Sequence, residues 1–181
     1  MQINKAGEIL LDREDVVDIP REKLPMVVLS DNLRGFFSWA IKAHETGCYN
    51  HLMWLVAPGV IASQNFLFQA QPVRDYLDAF RLKFWWNPSW SPEQREKIIS
   101  AIDRDVTAPW YKRIYDVPAI IGQAIGITSI QTPGIDICSD KGKYLKLVDL
   151  YYNLKRPNPE QVNHWLMERR DYEVYGRYVP D

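Results

Sequence analysis

Few side chains in this sequence can bind a metal or act as a thiol nucleophile. The 181 residues include two cysteines, Cys48 and Cys138, and three histidines. A structural zinc site needs closely spaced pairs of such ligands, and the chain has no pair of that kind. Two cysteines cannot form a disulfide framework, which favours a reducing compartment. We therefore expect no metal site and no cofactor.

The chain also lacks a strong net charge and a long apolar run. Its 22 basic and 23 acidic residues give a net charge of -1, and the two signs are interspersed, which is not typical of a nucleic-acid-binding protein. No segment approaches the ~20 apolar residues of a membrane helix. Residues 1–15 have no apolar core of signal-peptide length. We expect no nucleic-acid partner, no integral membrane segment and no conventional signal peptide.

What the chain does contain is a large apolar fraction, 46% hydrophobic and 13% aromatic. This composition indicates one packed domain over residues 1–181, in which residues 1–24 form an N-terminal arm or an edge strand. Helical and strand patterns are mixed along the chain, so we predict the α+β class. The predicted strands are 25–30, a hairpin around Pro58-Gly59, and 80–86. The predicted helices begin at Asp31, Ser91, Cys138 and Asn158.

One of the two cysteines lies where a helical pattern begins. In "GIDICSDKGKYLKLVDLYY" (residues 134–152), apolar residues follow Cys138 at helical spacing. The unpaired amides and the dipole at a helix N-terminus favour a thiolate, the nucleophilic form of cysteine, and can stabilise an oxyanion. Cys138 is therefore a candidate nucleophile. The competing interpretation is that a lone cysteine at a helix start is a small buried apolar residue.

A nucleophilic thiol needs a base, and His51 on the predicted hairpin is the better candidate among the histidines. His44 falls on the apolar face of a helix, where a structural role is expected, and His164 lies among charged residues that suggest exposed surface. Taken alone, His51 also fits a core polar group whose hydrogen bonds are satisfied. For Trp85, Trp86 and Trp90 a substrate groove is the alternative to core and rim packing. Cys48 is expected to be a bystander thiol.

The order of several motifs resembles the permuted papain-like amidases (the YaeF/YiiX group), relatives of the NlpC-type cell-wall peptidases and of lecithin:retinol acyltransferase. The segment "YNHLMWLV" is similar to that family's His-bearing strand, and "ICSDKGKYL" to its Cys-Ser-Glu helix start. Between them, "PVRDYLDAFRLKFWW" and "SPEQREKIISAIDRDVTAPWYKRIYD" resemble its next strand and a helix that leads into a Tyr-Asp pair. "RPNPEQVNHWL" resembles its C-terminal segment. The resemblance covers roughly residues 26–172 in order.

The resemblance implies a circularly permuted papain-like fold, in which an antiparallel sheet packs against the nucleophile-bearing helix. Carried over by position, Cys138 matches the nucleophile and His51 the general base. Tyr115 and Asp116 match the Tyr-Asp pair near the substrate. Asp140 stands where the family has a Glu after Cys-Ser.

The family's third polar residue, a Glu or His on the strand after the catalytic histidine, has no obvious counterpart. A two-residue turn at Pro58-Gly59 would put Gln64 on the same face as His51, whereas a three-residue turn would select Ser63 and Asn65. We predict that Gln64 orients His51. An amide stabilises imidazolium less than a carboxylate does.

The function that the resemblance implies is a cysteine hydrolase that cleaves an amide bond through an acyl-enzyme. Its substrate would be a peptide, such as a peptidoglycan stem peptide, and the protein would be cytoplasmic or virion-associated, as a bacteriophage enzyme would be. One alternative is an acyl-ester or thioester hydrolase, or an acyltransferase that acts on lipid. A second alternative is a binding or structural module that keeps the fold without turnover.

Overall fold

The computed structural model describes residues 2–3, 8–32, 49–114, 138–154 and 157–180, with the backbone alone at 2, 32 and 138–140. Its central element is an eight-stranded sheet of order β1-β2-β8-β7-β3-β4-β5-β6. The strands are β1 Gln2–Ile3, β2 Ile9–Leu11, β3 Met26–Asn32, β4 His51–Ala57, β5 Val60–Gln64, β6 Phe68–Pro72, β7 Phe80–Trp86 and β8 Glu173–Tyr178. All neighbouring strands are antiparallel except β2 and β8, which are parallel.

The described α-helices are α1 Arg13–Val17, α2 Pro92–Thr107 and α3 Pro159–Glu168. The segment Cys138–Leu147, named here the Cys138 helix, is a 3-10 helix rather than the α-helix that its spacing predicts. Shorter 3-10 turns are Arg21–Lys23, Val73–Tyr76 and Trp110–Lys112. No described helix combines the length and apolar character needed to cross a membrane.

Local capping accounts for where α2 and α3 begin. Ser91 accepts a hydrogen bond from the amide of Gln94, and the Gln94 side chain accepts one from the amide of Ser91. Asn158 and Gln161 make the same reciprocal pair at α3. Both helices carry proline at the first turn, where a missing N–H is tolerated. These predicted starts are confirmed.

The sheet buries apolar side chains on both faces. The helix face carries Leu29, Leu52, Trp54, Ala62, Phe68 and Trp85, and packs against α2, α3 and the Cys138 helix. The arm face carries Met26, Val28, Met53, Leu55, Ile61, Leu82 and Phe84, and is covered by residues from α1 to Leu24 and by the Val73–Leu77 segment. Successive side chains of a strand point to opposite faces of the sheet, and this alternation separates the two sets.

The predicted α+β class is confirmed, and the N-terminal arm supplies the edge strand β1 and its neighbour β2. The permuted papain-like arrangement stays an expectation. One local prediction needs correction: Asp31 does not cap a helix, because β3 continues through it and pairs it with Arg81. The rest of the predicted helix after Asp31 lies outside the described residues.

Candidate functional site

His51 is the first residue of β4, and its ring is directed to the arm face. It pairs with Ser30 across the β3–β4 ladder and alternates with the buried Met53 and Leu55. The residue as a whole is half-buried. The His51 Nε2 atom lies 2.8 Å from the Ser63 Oγ atom, within hydrogen-bond distance. The neighbour that orients this imidazole is therefore a serine hydroxyl.

A β-bulge determines why Ser63, and not Gln64, faces His51. The turn has two residues, since Ala57 pairs with Val60 and Gly59 adopts a φ of 68°. The register then shifts between Leu55 and Ala57, because β4 has one extra residue there. Beyond this point the residues of β5 that share a face with His51 are therefore the odd-numbered ones, which include Ser63, and not the even-numbered ones. This corrects the expectation that Gln64 orients His51.

Gln64 lies on the helix face instead. Its Nε2 atom donates a hydrogen bond to the carbonyl oxygen of Arg113 at 2.7 Å. Its buried Oε1 atom has no hydrogen-bond partner within the described part of the chain. The third candidate, Asn65, donates to the Tyr76 hydroxyl at 3.0 Å. Of the three candidates considered from the sequence, only Ser63 is hydrogen-bonded to His51 in the described structure.

The Ser63 hydroxyl belongs to a wider polar cluster on the arm face. The Tyr76 oxygen accepts amide N–H bonds from Asn65 and Gln71, and the Ser63 hydroxyl lies close enough to lower its pKa. Burial raises the pKa of Tyr76, so its hydroxyl keeps its proton. Ser63 itself is fully buried. The cluster therefore holds Ser63 as a partner for His51 and does not present it as an accessible nucleophile.

Burial lowers the pKa of His51 from 6.5 to about 4. Desolvation disfavours the charged imidazolium, and the Ser63 hydroxyl supplies no counter-charge. The ring is therefore neutral at physiological pH and carries a free lone pair on one nitrogen. Which nitrogen bears the proton is an assignment from the hydrogen bonding. The lowered pKa makes the neutral ring a weaker base than an exposed histidine, although its lone pair can still accept a proton.

This pKa shift predicts a pH-dependent stability. Between pH 6.5 and about 4 the unfolded chain binds a proton at His51 that the folded protein does not, so stability is lost as the pH falls through this range. We expect the wild type to lose up to about 3 kcal/mol there relative to His51→Asn. Urea unfolding of both proteins at several pH values measures the difference. A difference that stays constant with pH would contradict the assigned shift.

The Cys138 helix is attached to the opposite face of the sheet. The indole Nε1 atom of Trp54 donates to the carbonyl oxygen of Lys141 at 3.0 Å. The Tyr144 ring packs edge-on against Trp54 and stacks with Phe68. Its hydroxyl donates to Asp105 on α2 at 2.7 Å. These contacts tie the helix that begins at Cys138 to the helix face, whereas the His51 ring lies on the arm face.

Several predicted site residues fall outside the described structure. The side chain of Cys138 and all of Tyr115 and Asp116 lie there, as do Cys48 and His44. The distance between Cys138 and His51 is therefore still a prediction. No group of three or more metal-ligating side chains comes together among the residues that the structure describes.

The remaining candidates have structural roles. Trp85 and Trp90 are buried in the core, which matches the packing interpretation rather than a groove. Trp86 has the ammonium of Lys23 over its ring at 3.8 Å. The side chain of His164 is 69% exposed, as expected for a surface residue, and its Nε2 atom lies 3.4 Å from the Oε1 atom of Glu160.

Sequence reasoning missed a buried charged residue on the helix face. Lys83 lies within "FRLKFWW" and is only 3% exposed. Its ammonium donates to Asn163 of α3 at 3.0 Å and lies 4.3 Å from the Trp85 ring centroid. Burial lowers its pKa from 10.5 to about 8. A lysine in the middle of a largely apolar strand was the available signal.

Comparison with known proteins adds no family assignment. No protein-family model matches the chain, and no curated protein sequence matches it significantly. The resemblance drawn from the ordered motifs therefore remains an expectation.

Proposed function

We propose that the protein is a cysteine hydrolase that cleaves an amide bond in a peptide-like substrate, with His51 as the base and Cys138 as the nucleophile. The observation that carries the proposal is the state of His51. It is neutral and held through Nε2 by Ser63. In the tautomer that donates its Nε2–H to Ser63, the Nδ1 atom carries the lone pair that takes the proton of a thiol.

In the proposed reaction, Nδ1 of His51 takes the thiol proton of Cys138. The thiolate then forms a bond to the substrate carbonyl carbon, and amides at the start of the Cys138 helix hold the oxyanion. As the C–N bond breaks, His51 returns the proton to the leaving amine. Water then attacks the thioester with His51 as base, the C–S bond breaks, and the thiol is restored with release of the acid.

This chemistry sets a geometric requirement. The Cys138 helix packs on the helix face through Tyr144, and the His51 ring lies on the arm face. The thiol must therefore approach the imidazole around the end of β4. His51 is the first residue of its strand and Cys138 the first of its helix. Both positions are the ends of their elements.

The same separation of faces favours a second candidate function. If the thiol does not reach His51, the domain is a binding module in which Cys138 packs as an apolar residue and His51 as a buried polar group. The two candidates differ in one measurable property, the reactivity of the Cys138 thiol and its dependence on His51.

Selective alkylation tests the proposal. We expect iodoacetamide at neutral pH to modify Cys138 at least about tenfold faster than Cys48, because the imidazole draws off the thiol proton. His51→Ala should remove this difference, and Ser63→Ala should reduce it by releasing the ring. Peptide mass spectrometry gives both rates from one sample.

Gln64→Ala is the matched control, since Gln64 neighbours Ser63 but faces the other side of the sheet. It should leave the Cys138 rate unchanged, provided that circular dichroism shows a folded protein. Equal rates for the two cysteines, or a Cys138 rate insensitive to His51→Ala, would support the binding module instead.

A further inference from the structure

A chain of hydrogen bonds joins α3 to the backbone that precedes His51. The Glu160 Oε2 atom accepts the amide N–H of Tyr49 at 3.2 Å. The other oxygen, Oε1, accepts from Nδ2 of Asn163 at 2.9 Å. The Oδ1 atom of Asn163 accepts from the ammonium of Lys83 at 3.0 Å. One side-chain amide thus connects a cation on β7 with a carboxylate on α3.

The side chains that form this chain of hydrogen bonds are largely shielded from water. Lys83 and Asn163 are 3% and 5% exposed, and the Glu160 side chain is 19% exposed. Hydrogen bonds in such surroundings polarise one another and are costly to break singly. Asn163 can serve both neighbours at once because its amide has an acceptor and donors. Asn163 and Lys83 therefore help to position Glu160, whose Oε1 atom also lies 3.4 Å from the Nε2 atom of the exposed His164.

The chain of hydrogen bonds ends at Tyr49, two residues before His51. The Tyr49 amide is held by Glu160, and the Asn50 amide donates to the Ser30 carbonyl at 3.0 Å. β4 then begins at His51. Bonds from the sheet and from α3 therefore both hold the backbone that enters the strand. Loss of the bond to Glu160 would remove the contact by which α3 holds the Tyr49 amide, two residues before the one from which the imidazole projects.

We propose that Glu160 is a positioning residue for His51, acting through the Tyr49 amide and held in place by Asn163 and Lys83. This inference rests on the proposed function, because it assigns Glu160 a part in the reaction attributed to His51. Glu160 does not touch the reacting atoms. Its contribution is to keep the imidazole in line for proton transfer, where small displacements cost much rate.

Three variants test the role of Glu160. Glu160→Ala removes the acceptor, and we expect it to lower kcat about tenfold with KM unchanged. Glu160→Gln keeps an oxygen for the Tyr49 amide and should restore kcat to within about threefold of wild type. Glu168→Ala removes an exposed carboxylate from the same helix and serves as the control that changes neither constant.

A second readout does not depend on turnover. The His51 ring resonances and their pH titration, followed by NMR, should change in Glu160→Ala and match the wild type in Glu160→Gln and Glu168→Ala. If Glu160→Ala lowers stability but leaves the His51 resonances and kcat unchanged, the residue is merely structural and the inference is overturned. If Cys138→Ala still hydrolyses substrate, the proposed function fails while the ring titration still decides the positioning role.

Discussion

Replacing Cys138 with alanine is expected to lower amide hydrolysis by about a thousandfold or more, because the acyl-enzyme cannot form without the thiol. His51→Ala should cause a loss of similar size, since the thiol then lacks a base. The measurement is release of new amino groups from peptide substrates and from peptidoglycan stem peptides, with products identified by mass spectrometry.

The double variant distinguishes a dyad from two independent contributions. Residues that act as one unit show strongly non-additive losses, so Cys138→Ala with His51→Ala should be no slower than either single variant. Cys48→Ala is the control that removes the other thiol and should retain full activity. Hydrolysis that persists in Cys138→Ala, or single losses that multiply in the double variant, would contradict the proposed mechanism.

The largest expected effect on stability is at Trp54. This side chain is fully buried, packs against Tyr144 and donates to the Lys141 carbonyl. Trp54→Ala is expected to cost about 3–5 kcal/mol of unfolding free energy, from lost apolar burial and the cavity that remains. It also removes two of the contacts that attach the Cys138 helix to the sheet, while Tyr144 still stacks with Phe68. Cys138 alkylation should therefore depend less on His51.

Trp110→Ala provides the matched control, because Trp110 is 64% exposed. This substitution should change the unfolding free energy by no more than about 0.5 kcal/mol. Denaturant unfolding of the two variants gives the comparison. A Trp54→Ala cost below about 1 kcal/mol would show that the Trp54 contacts do not hold this region together.

The elements that could be predicted from the sequence are those determined by local chemistry. The capping pairs Ser91–Gln94 and Asn158–Gln161 join residues three apart, so their side chains show where each helix begins. The hairpin at Pro58-Gly59 is equally local, because Gly59 supplies the positive φ that the turn needs. The strands predicted at 25–30 and 80–86 are likewise visible as largely apolar runs, although the first continues to Asn32 in the structure.

The partner of His51 could not be predicted in this way. Turn length alone selects Gln64, and the turn does have two residues. A bulge between Leu55 and Ala57 nevertheless shifts the register and brings Ser63 to the ring. A bulge depends on how β4 packs between its neighbours in the sheet. The periodicity of apolar residues in the sequence gives no information about that packing.

By itself, the sequence determined the α+β class, the capped starts of α2 and α3, the hairpin, and His51 and Cys138 as the groups to test. Tertiary structure alone decided that His51 bonds Ser63, that the Cys138 helix packs on the face opposite the imidazole, and that Glu160 holds Tyr49. The last contact joins residues 111 positions apart. Contacts of this kind depend on which faces of distant elements come together, and burial of the whole sheet sets that arrangement, not the local spacing of residues.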